Sequence, residues 1–491
     1  MKKLTMRSFR NKKGEKRMKA FIQGANPYLP LWEHVPDGEP RVFEYNGEKR
    51  VYLYGSHDTE KTAYCGTDYV VWSAPVNDLT DWKCHGVCYD SPDGNRMYAP
   101  DAIQKGDTFY LYAAENKNSR LTVAKSRHPA GPFTDAVRAE IGCDPGVLVD
   151  DDGRIFGYWG FCNCCGAEFH ADMATIKEGT LRSHLIGHCE SPWTNETEHV
   201  DYTFGFYEAA SPRKILGKYV LLYSRNTNEP LPEYGIEGDC NGFLSYAYSD
   251  HPLEGYRFGG EIILNGGEII PDGKGGGKMT YRWGNNHGGL AEINGQWYIF
   301  YHRQTGKNEY ARQAMLEPVD IAMDKNGRLF IGDITYREGE PIASRPVEMT
   351  SQGAHINGLD ACKIISAGYA CHLSGGAKEA YIAPVYEKEE ISAPIREITN
   401  GVTAGFRYLQ FGLQPLRKVT VKACASSDIR IRVHLDNHEG KIIGELALKA
   451  GEREAQALLS CGVIGTHAVY FEFLCPEGTE AEFDWFTFDR D

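Results

Sequence analysis

One carboxylate in the sequence has surroundings that suit acid catalysis. Glu208 lies in the segment Phe-Gly-Phe-Tyr-Glu-Ala-Ala-Ser-Pro-Arg-Lys-Ile, residues 204–215, among aromatic and small side chains and just before a predicted strand. Burial beside aromatic rings raises a carboxyl pKa, and a general acid that works near neutral pH needs a raised pKa. A glutamate that only pairs with Arg213 or Lys214 would look the same in the sequence. The segment alone leaves both interpretations open.

Other ionisable side chains occupy a comparable place in the chain. Each lies roughly five to ten residues upstream of a strand that starts at glycine and contains adjacent aromatic residues. In chain order they are Asp37 with Glu39, Asp101, Asp144, Glu208 and His287, and the strands begin at Gly47, Gly106, Gly153, Gly217 and Gly295. Asp144 is interpreted as a group that faces a channel, although it would serve equally as the cap of its turn. His287 would ligate a metal, hydrogen-bond a sugar or satisfy a buried carbonyl.

The spacing of these units predicts the fold that must position the ionisable residues. Five similar β-units at intervals of roughly 50 to 80 residues indicate five blades of a β-propeller, and an ordinary β-meander is the alternative. Because the inner strands of a propeller converge on one axis, the ionisable residues would meet at one end of a central channel. Beyond a polar connector at 344–353, alternating strands such as Ile429–Leu435 predict a β-sandwich.

The predicted chain is therefore all-β, with three parts. A disordered basic tail occupies residues 1–22, a five-bladed β-propeller catalytic domain occupies 23–345, and a β-sandwich (jelly-roll) domain occupies 354–491. The composition fits a globular protein rather than a disordered one, since 42% of the 491 residues are apolar and 24% are charged. The net charge of −14 argues against a nucleic-acid partner, because a phosphate backbone requires a basic surface.

The first twenty residues contain no apolar run long enough for a signal peptide or a membrane span. We therefore expect no membrane partner, a cytoplasmic location and reduced thiols among the 14 cysteines. Cys162, Cys164 and Cys165 form the tightest cysteine cluster and raise the question of zinc. Since the usual second pair of ligands at matching spacing is missing, zinc is the less favoured interpretation.

Several motifs in the first ~350 residues, taken together and in order, carry a family resemblance. They are Asn26-Pro-Tyr-Leu-Pro with Pro36-Asp-Gly-Glu-Pro, Tyr54-Gly-Ser-His-Asp, Tyr98-Ala-Pro-Asp, Asp144-Pro-Gly-Val, Glu208-Ala-Ala-Ser and Tyr301-His-Arg. In these motifs the chain resembles glycoside hydrolase family 43, the five-bladed propeller enzymes that include α-L-arabinofuranosidases and β-xylosidases.

The resemblance implies an inverting mechanism with three carboxyl groups. It implies that Asp37 is the general base, that Asp101 tunes pKa and orientation, and that Glu208 is the general acid. The common family pattern has proline directly after the basic aspartate, whereas Gly38 and Glu39 intervene here. Glu39 therefore stays a rival for the role of base.

The same resemblance implies further substrate and metal contacts. His287 matches a histidine over the channel, often near a calcium ion that is bound largely through water, and Arg303 matches an arginine near the substrate. Tyr98 stands where many relatives have tryptophan, in the subsite for the terminal sugar. The expected substrate-binding residues are thus Glu39, Tyr98, Asp144, His287 and Arg303, with His287 as the metal contact and calcium as a structural ion.

The end of the chain resembles a family 6 carbohydrate-binding module through Gly405-Phe-Arg-Tyr-Leu-Gln-Phe-Gly, Gly465-Thr-His-Ala-Val-Tyr-Phe and Phe483-Asp-Trp-Phe. Together the two resemblances imply an exo-acting α-L-arabinofuranosidase that removes side chains from arabinoxylan or its oligosaccharides. A β-xylosidase, or an enzyme with both activities, is the first alternative. A non-catalytic sugar-binding propeller is the second.

Overall fold

The computed structural model describes residues 21–60, 62–116, 120–191, 197–228, 231, 236, 240–271, 273, 276–386 and 392–490. Of the predicted basic tail, residues 1–20 lie outside the described residues. Phe21 and Ile22, which the prediction placed in that tail, pack against the hydrophobic core, and the Ile22 N–H donates to the Tyr369 hydroxyl at 2.8 Å. No helix in the described part of the chain is long and apolar enough to cross a membrane.

Five antiparallel sheets follow one another from Glu39 to Arg345. The first two contain β1 (Glu39–Tyr45), β2 (Glu48–Tyr54), β3 (Asp68–Pro75) and β4 (Lys83–Asp90), then β5 (Met97–Lys105), β6 (Thr108–Glu115), β7 (Arg120–Ser126) and β8 (Thr134–Arg138). The third contains β9 (Gly146–Val149), β10 (Ile155–Trp159) and β11 (Cys165–Phe169), and the fourth contains β12 (Phe206–Ile215), β13 (Lys218–Arg225), β14 (Phe243–Ser249) and β15 (Arg257–Leu264). After a hairpin of β16 (Ile269–Pro271) and β17 (Gly277–Met279), the fifth contains β18 (Gly289–Ile293), β19 (Gln296–Gln304), β20 (Arg312–Met323), β21 (Leu329–Arg337) and β22 (Glu340–Arg345).

Two-residue turns join the first and second strands in several of these sheets. Asn46-Gly47, Leu216-Gly217 and Asn294-Gly295 all have positive φ at both residues. This is the geometry of the tight hairpin turn whose twist matches that of the flanking strands, and glycine adopts it without steric cost. In these three sheets the glycine that starts the aromatic strand in the sequence is therefore a hairpin signal.

The first strands of the five sheets form the centre of the domain. Each contacts its two neighbours, so that β1, β5, β9, β12 and β18 make a closed ring around one axis. The all-β prediction of a five-bladed propeller is confirmed. The turns that precede these inner strands open at one end of the axis, where the candidate site lies.

The remaining strands form two packed sheets. One contains β23 (Leu359–Asp360), β25 (His372–Ser374), β28 (Thr403–Gln410), β30 (Ile429–Leu435), β31 (Lys441–Leu448) and β33 (Thr466–Leu474). The other contains β24 (Ile365–Ser366), β26 (Tyr381–Ile382), β27 (Ile395–Ile398), β29 (Leu416–Ala425), β32 (Ala455–Val463) and β34 (Ala481–Asp489), and a 3-10 turn lies at Ala367–Tyr369. Phe406 and Phe471 each lie 4.7 Å from Phe486 between ring centroids, so aromatic packing fills this sandwich.

The propeller and the sandwich share one hydrophobic core cluster and several buried polar contacts. Arg303 on β19 is fully buried and donates to the carbonyls of Gly368 and Ala370 in the sandwich, the latter at 2.8 Å. In the other direction, Arg407 of the sandwich pairs with Glu268 of the propeller. Arg303 therefore joins the two domains.

Candidate active site

Small-molecule sites are usually cavities of about 300–1,000 Å³. The mouth of the propeller channel holds such a cavity, of about 730 Å³. Five of the predicted site residues line it, namely Asp37, Tyr98, Asp144, Glu208 and His287. They come from the turns before β1, β9 and β18 and from the beginnings of β5 and β12. Residues far apart in the chain are thus brought around one space.

Close backbone contacts fix the turn that carries Asp37. A Cβ on Gly55 would lie only 2.4 Å from the carbonyl oxygen of Pro36, so only glycine allows the two turns to approach this closely. The approach lets the Ser56 hydroxyl donate to the Asp37 carboxylate. On the other side, the Asp37 backbone N–H donates to Nδ1 of His302 at 3.2 Å. The carboxylate is therefore held by the backbone and by its neighbours.

A buried arginine sets the charge of Asp37. Arg312 at the start of β20 donates from Nη1 to Asp37 Oδ1 at 2.9 Å, while its Nε and Nη2 donate to both oxygens of Asp58 at 3.0 and 2.9 Å. Burial by itself would raise the pKa of Asp37, but the charge of Arg312, two nearby histidines and the Ser56 hydrogen bond together outweigh it, and the pKa falls to about 2. Asp37 is ionised at neutral pH and can accept a proton from water.

Glu208 has the opposite electrostatic setting. Irregular pairing between β12 and β13 on both sides of Glu208, with Ala209 at φ 72°, turns its side chain toward the cavity. Burial raises the pKa of Glu208 well above its ordinary value, and the negative charges of Asp144 and Asp37 raise it further. Glu208 therefore keeps its proton to higher pH than an ordinary glutamate, as a proton donor requires.

Asp144 lies beside these two groups, in the turn before β9, with φ 51°. Burial raises its pKa to about 6; the charge of Asp37 acts in the same direction, while His287 and Arg312 oppose it. In the described part of the chain, no ion pair with lysine or arginine is formed by Asp144 or by Glu208. An ionised Asp144 thus adds to the effect of burial and raises the pKa of Glu208 further.

The structure does not bring Asp101 and Glu39 into the cavity. Asp101 has no exposed surface, and it accepts hydrogen bonds from Arg41 Nε at 3.0 Å and Nη2 at 2.7 Å and from the Val147 N–H at 2.6 Å. Glu39 is 2% exposed and pairs with Arg213 and Arg41. The role predicted for Asp101, to tune pKa and orientation, fits Asp144 better, because Asp101 is buried outside the cavity lining and pairs with Arg41. Glu39 lies there too, so of the two rivals only Asp37 reaches the cavity.

These deeper charges connect all five blades. Arg41 on β1 reaches Asp101 on β5 and donates to the Val147 carbonyl on β9 at 3.1 Å. Arg213 on β12 pairs with Glu39 on β1, and its Nε donates to the Leu290 carbonyl on β18 at 2.6 Å. Two arginines and two carboxylates therefore close the ring of inner strands. We call these four side chains, Arg41, Arg213, Glu39 and Asp101, the axial network.

The side chains near His287 do not fit a calcium site. Its Nδ1 lies 3.9 Å from Asp37 Oδ1, and the guanidinium of Arg312 already neutralises that carboxylate. Among the residues that the structure describes, no group of three or more His, Cys, Asp or Glu side chains is arranged to hold a metal ion. Calcium needs six to eight oxygen ligands, whereas the axis beneath the cavity presents two arginines. Cys162, Cys164 and Cys165, all among the described residues, likewise belong to no such group.

Aromatic side chains form the rim of the cavity. Tyr98 and Trp283 are each 38% exposed, and Tyr64, Phe161 and Tyr207 lie beside them. Exposed aromatic faces beside polar groups suit the apolar faces of sugar rings. Arg303, which was predicted to lie near the substrate, is absent from this lining because it is buried at the domain interface.

Two residues that hold Asp37 in place were not predicted from the sequence. Asp58 stands in the quoted motif Tyr54-Gly-Ser-His-Asp and was given no role there, although it orients Arg312. Arg312 begins the third strand of its sheet, whereas the predicted site residues precede or begin first strands, so the repeat did not predict it. Only its contacts with Asp37 and Asp58 in the folded structure identify it.

Comparison with known proteins gives consistent matches. The family profile described as "Glycosyl hydrolases family 43" matches residues 37–326. A protein of Thermoclostridium stercorarium named Xylosidase/arabinosidase is 32% identical over 92% of this chain and 96% of its own length. Xylosidase/arabinosidase 43A of Humicola insolens is 27% identical over 61% of this chain and 98% of its own. Arabinoxylan arabinofuranohydrolase of Paenibacillus polymyxa is 22% identical over 90% and 71%.

Proposed function

The chain belongs to glycoside hydrolase family 43, and from that premise we propose that it is an inverting, exo-acting α-L-arabinofuranosidase that removes arabinose side chains from arabinoxylan or its oligosaccharides. As a member of this family it is a glycosidase. The observation that carries the mechanism is the opposite shift of two carboxyl groups that line one cavity. Asp37 has a lowered pKa and Glu208 a raised one. When the pKa values of two neighbouring carboxyl groups are shifted in opposite directions, the group with the lower pKa serves as base and the other as acid.

The proposed reaction is a single displacement at the anomeric carbon. Glu208 donates its proton to the glycosidic oxygen as the bond from that oxygen to the anomeric carbon breaks. Asp37 takes a proton from a water molecule whose oxygen forms the new bond on the opposite face of the sugar. The products are a sugar of inverted anomeric configuration and the shortened glycan, and the proton on Asp37 must return to Glu208 before the next turnover.

Three other residues prepare this step. Arg312 keeps Asp37 ionised and hydrogen-bonded in one orientation, and Asp58 fixes Arg312 in turn. Asp144 keeps Glu208 protonated through its negative charge. General acid and base groups in position typically contribute about 10²–10⁴-fold each to the rate. No step requires a metal ion.

The choice of sugar rests on the names of the relatives, and these names support two readings. The arabinofuranohydrolase of P. polymyxa supports arabinose removal, whereas the two proteins named Xylosidase/arabinosidase support a β-xylosidase, or a bifunctional enzyme, equally. Purified protein assayed on aryl α-L-arabinofuranoside and aryl β-D-xyloside separates them. Hydrolysis of the arabinofuranoside is the expected result; hydrolysis of the xyloside alone transfers the assignment to the β-xylosidase. Proton NMR of the first-formed anomer tests inversion in the same reaction.

A non-catalytic sugar-binding propeller, the remaining alternative, does not fit a chain that belongs to a glycosidase family. The Glu208→Gln variant provides the direct check. An enzyme loses turnover and still binds oligosaccharide, while a lectin keeps the only property it has. Glycan binding by the sandwich domain, and the cytoplasmic location, stay predictions that need their own binding and fractionation experiments.

A further inference from the structure

Trp283 lies at the junction of two cavities. Its side chain is 38% exposed and lines the catalytic cavity, and it also lines a second cavity of about 510 Å³ between the propeller and the sandwich. The loop that carries it, between β17 and β18, also carries Asn285 and His287 into the catalytic cavity. A ligand that packs on the Trp283 indole would therefore extend from one cavity toward the other.

The position of Trp283 is set by two glycines beneath it. A Cβ on Gly266 would come within 3.2 Å of the Trp283 Cβ, and one on Gly242 within 3.4 Å. The same Cβ atoms would first meet Met279 Sδ at 2.3 Å and Asn265 Oδ1 at 2.8 Å, so both positions are closely packed. The Trp283 Cβ therefore rests against two glycines in a tightly packed layer.

The second cavity, which we call the interdomain groove, is built from both domains. Lys278, Arg282 and Trp283 lie on the propeller side, and residues 373–380 lie on the sandwich side. Arg282 Nη1 approaches Glu379 Oε1 at 3.7 Å across the groove, so the two walls are joined by charge. One exposed aromatic face among hydrogen-bond donors and acceptors is the chemistry that binds a neutral sugar chain.

We propose that the interdomain groove binds the part of the substrate that is not cleaved, namely the neutral, β-linked xylose main chain of arabinoxylan. The side-chain sugar enters the catalytic cavity, the main chain lies across Trp283, and its continuation lies in the groove against the sandwich domain. This rests on the proposed function, since it assumes that the cleaved sugar belongs to a longer glycan. It gives the sandwich a direct role in choosing long substrates over short ones.

The size of the two cavities supports this division. The catalytic cavity, of about 730 Å³, holds the acid and the base, and the groove, of about 510 Å³, holds none of the proposed catalytic residues. An aryl glycoside has only a small ring beyond the cleaved bond and would reach Trp283 at most. A polymer would occupy both spaces. Filling the groove should therefore lower kcat/KM on the polymer and leave kcat/KM on the aryl glycoside unchanged.

The test blocks the groove from the sandwich side. Ala377 lines the groove and adds no polar side-chain atom to it, so Ala377→Trp fills space without removing a contact. We expect kcat/KM on the aryl arabinofuranoside to stay within about twofold of the wild type, and kcat/KM on arabinoxylan to fall at least tenfold, mainly through KM. Leu413→Trp is the matched control. Leu413 is 93% exposed and follows the C-terminal end of β28, whereas the N-terminal end of β28 pairs with β25 beside the groove. That variant should keep both activities.

The outcomes separate the two proposals. If the wild type cleaves neither aryl glycoside, the proposed function fails. If it cleaves one and Ala377→Trp keeps the wild-type ratio of polymer to aryl activity, the groove proposal fails. A second measurement does not depend on the folding of that variant: in the inactive Glu208→Gln protein, adding Trp283→Ala should weaken binding of linear xylotetraose at least tenfold by calorimetry. Unchanged binding overturns the proposal.

Discussion

The reassignment from Asp101 to Asp144 leads to a paired test by Asp144→Asn and Asp101→Asn. Removing the charge of Asp144 should lower the pKa of Glu208, because that charge is one of the causes that raise it. Glu208 works in its protonated form, so the alkaline limb of the pH profile of kcat/KM should move to lower pH. Asp101→Asn should leave this limb in place, since Asp101 pairs with Arg41 below the cavity.

The size of the shift follows from Coulomb's law. Two unit charges about 6 Å apart at an effective dielectric constant of about 20 repel each other by about 2.8 kcal/mol, or about 2 pKa units. Both side chains are only half-buried and line a cavity, so water screens part of this interaction. We therefore expect the limb of Asp144→Asn to move down by about 1 to 2 pH units.

The assay is kcat/KM on an aryl glycoside in half-unit steps from pH 4 to pH 9, with unfolding midpoints of each variant measured alongside. Asp101→Asn breaks a buried ion pair, which typically costs about 3–5 kcal/mol, so its effect should appear in the midpoint. The reasoning is refuted if Asp101→Asn moves the alkaline limb as far as Asp144→Asn does. It is refuted equally if Asp144→Asn changes the rate at every pH by one factor and leaves the limb where it was.

Three further outcomes test other parts of the site and the fold. Glu208→Ala should lose about 10²–10⁴-fold on arabinoxylan oligosaccharides and much less on an aryl glycoside whose leaving group needs no proton, whereas Asp37→Ala should lose activity on both alike; equal losses for Glu208→Ala contradict its role as acid. Dialysis against EDTA should change neither the unfolding midpoint nor kcat, since the residues around His287 do not fit a metal site; a loss that Ca²⁺ restores would return the calcium prediction. Burial raises the pKa of Glu317 to about 8, so its stabilising contribution is complete below about pH 4.5 and is lost as the pH rises through 8. Thermal unfolding at pH 5 and pH 8 should show a smaller fall for Glu317→Gln than for the wild type, and an equal fall would count against this assignment.

The sequence was sufficient to predict the blades but not the height of each residue along the axis. Asp37, Asp144 and His287 precede their inner strands and reach the cavity, whereas Asp101 lies within β5, the fifth residue of a strand that begins at Met97. A strand rises about 3.3 Å per residue, so a few positions carry a side chain more than 10 Å from the mouth of the channel. The repeat places each ionisable residue only roughly, five to ten residues before an aromatic strand, and this precision is too low to predict its depth in the channel.

The same limit explains Glu39 and Arg303. Glu39 is only two residues beyond Asp37, yet it is the first residue of β1 and pairs with Arg213 in the axial network. Arg303 lies near the end of β19, the second strand of its blade, on the side that meets the sandwich. The family resemblance predicted carboxyl groups, a histidine and an aromatic residue for the site, and residues of these kinds line the cavity. Only the packing of blade against blade, and of propeller against sandwich, shows which of the predicted residues face the cavity.

Charge balance distinguishes the catalytic layer of the channel from the structural layer below it. The axial network contains two arginines and two carboxylates, so every charge is compensated and the side chains serve to join the blades. Around the cavity Arg312 is shared by Asp37 and Asp58, and no ion pair with lysine or arginine in the described residues compensates Asp144 or Glu208. An excess of carboxyl groups in a poorly solvated space is relieved by keeping a proton. The uncompensated layer therefore stores the proton that the leaving group needs, and adding a positive charge beside Glu208 should remove that proton and the activity with it.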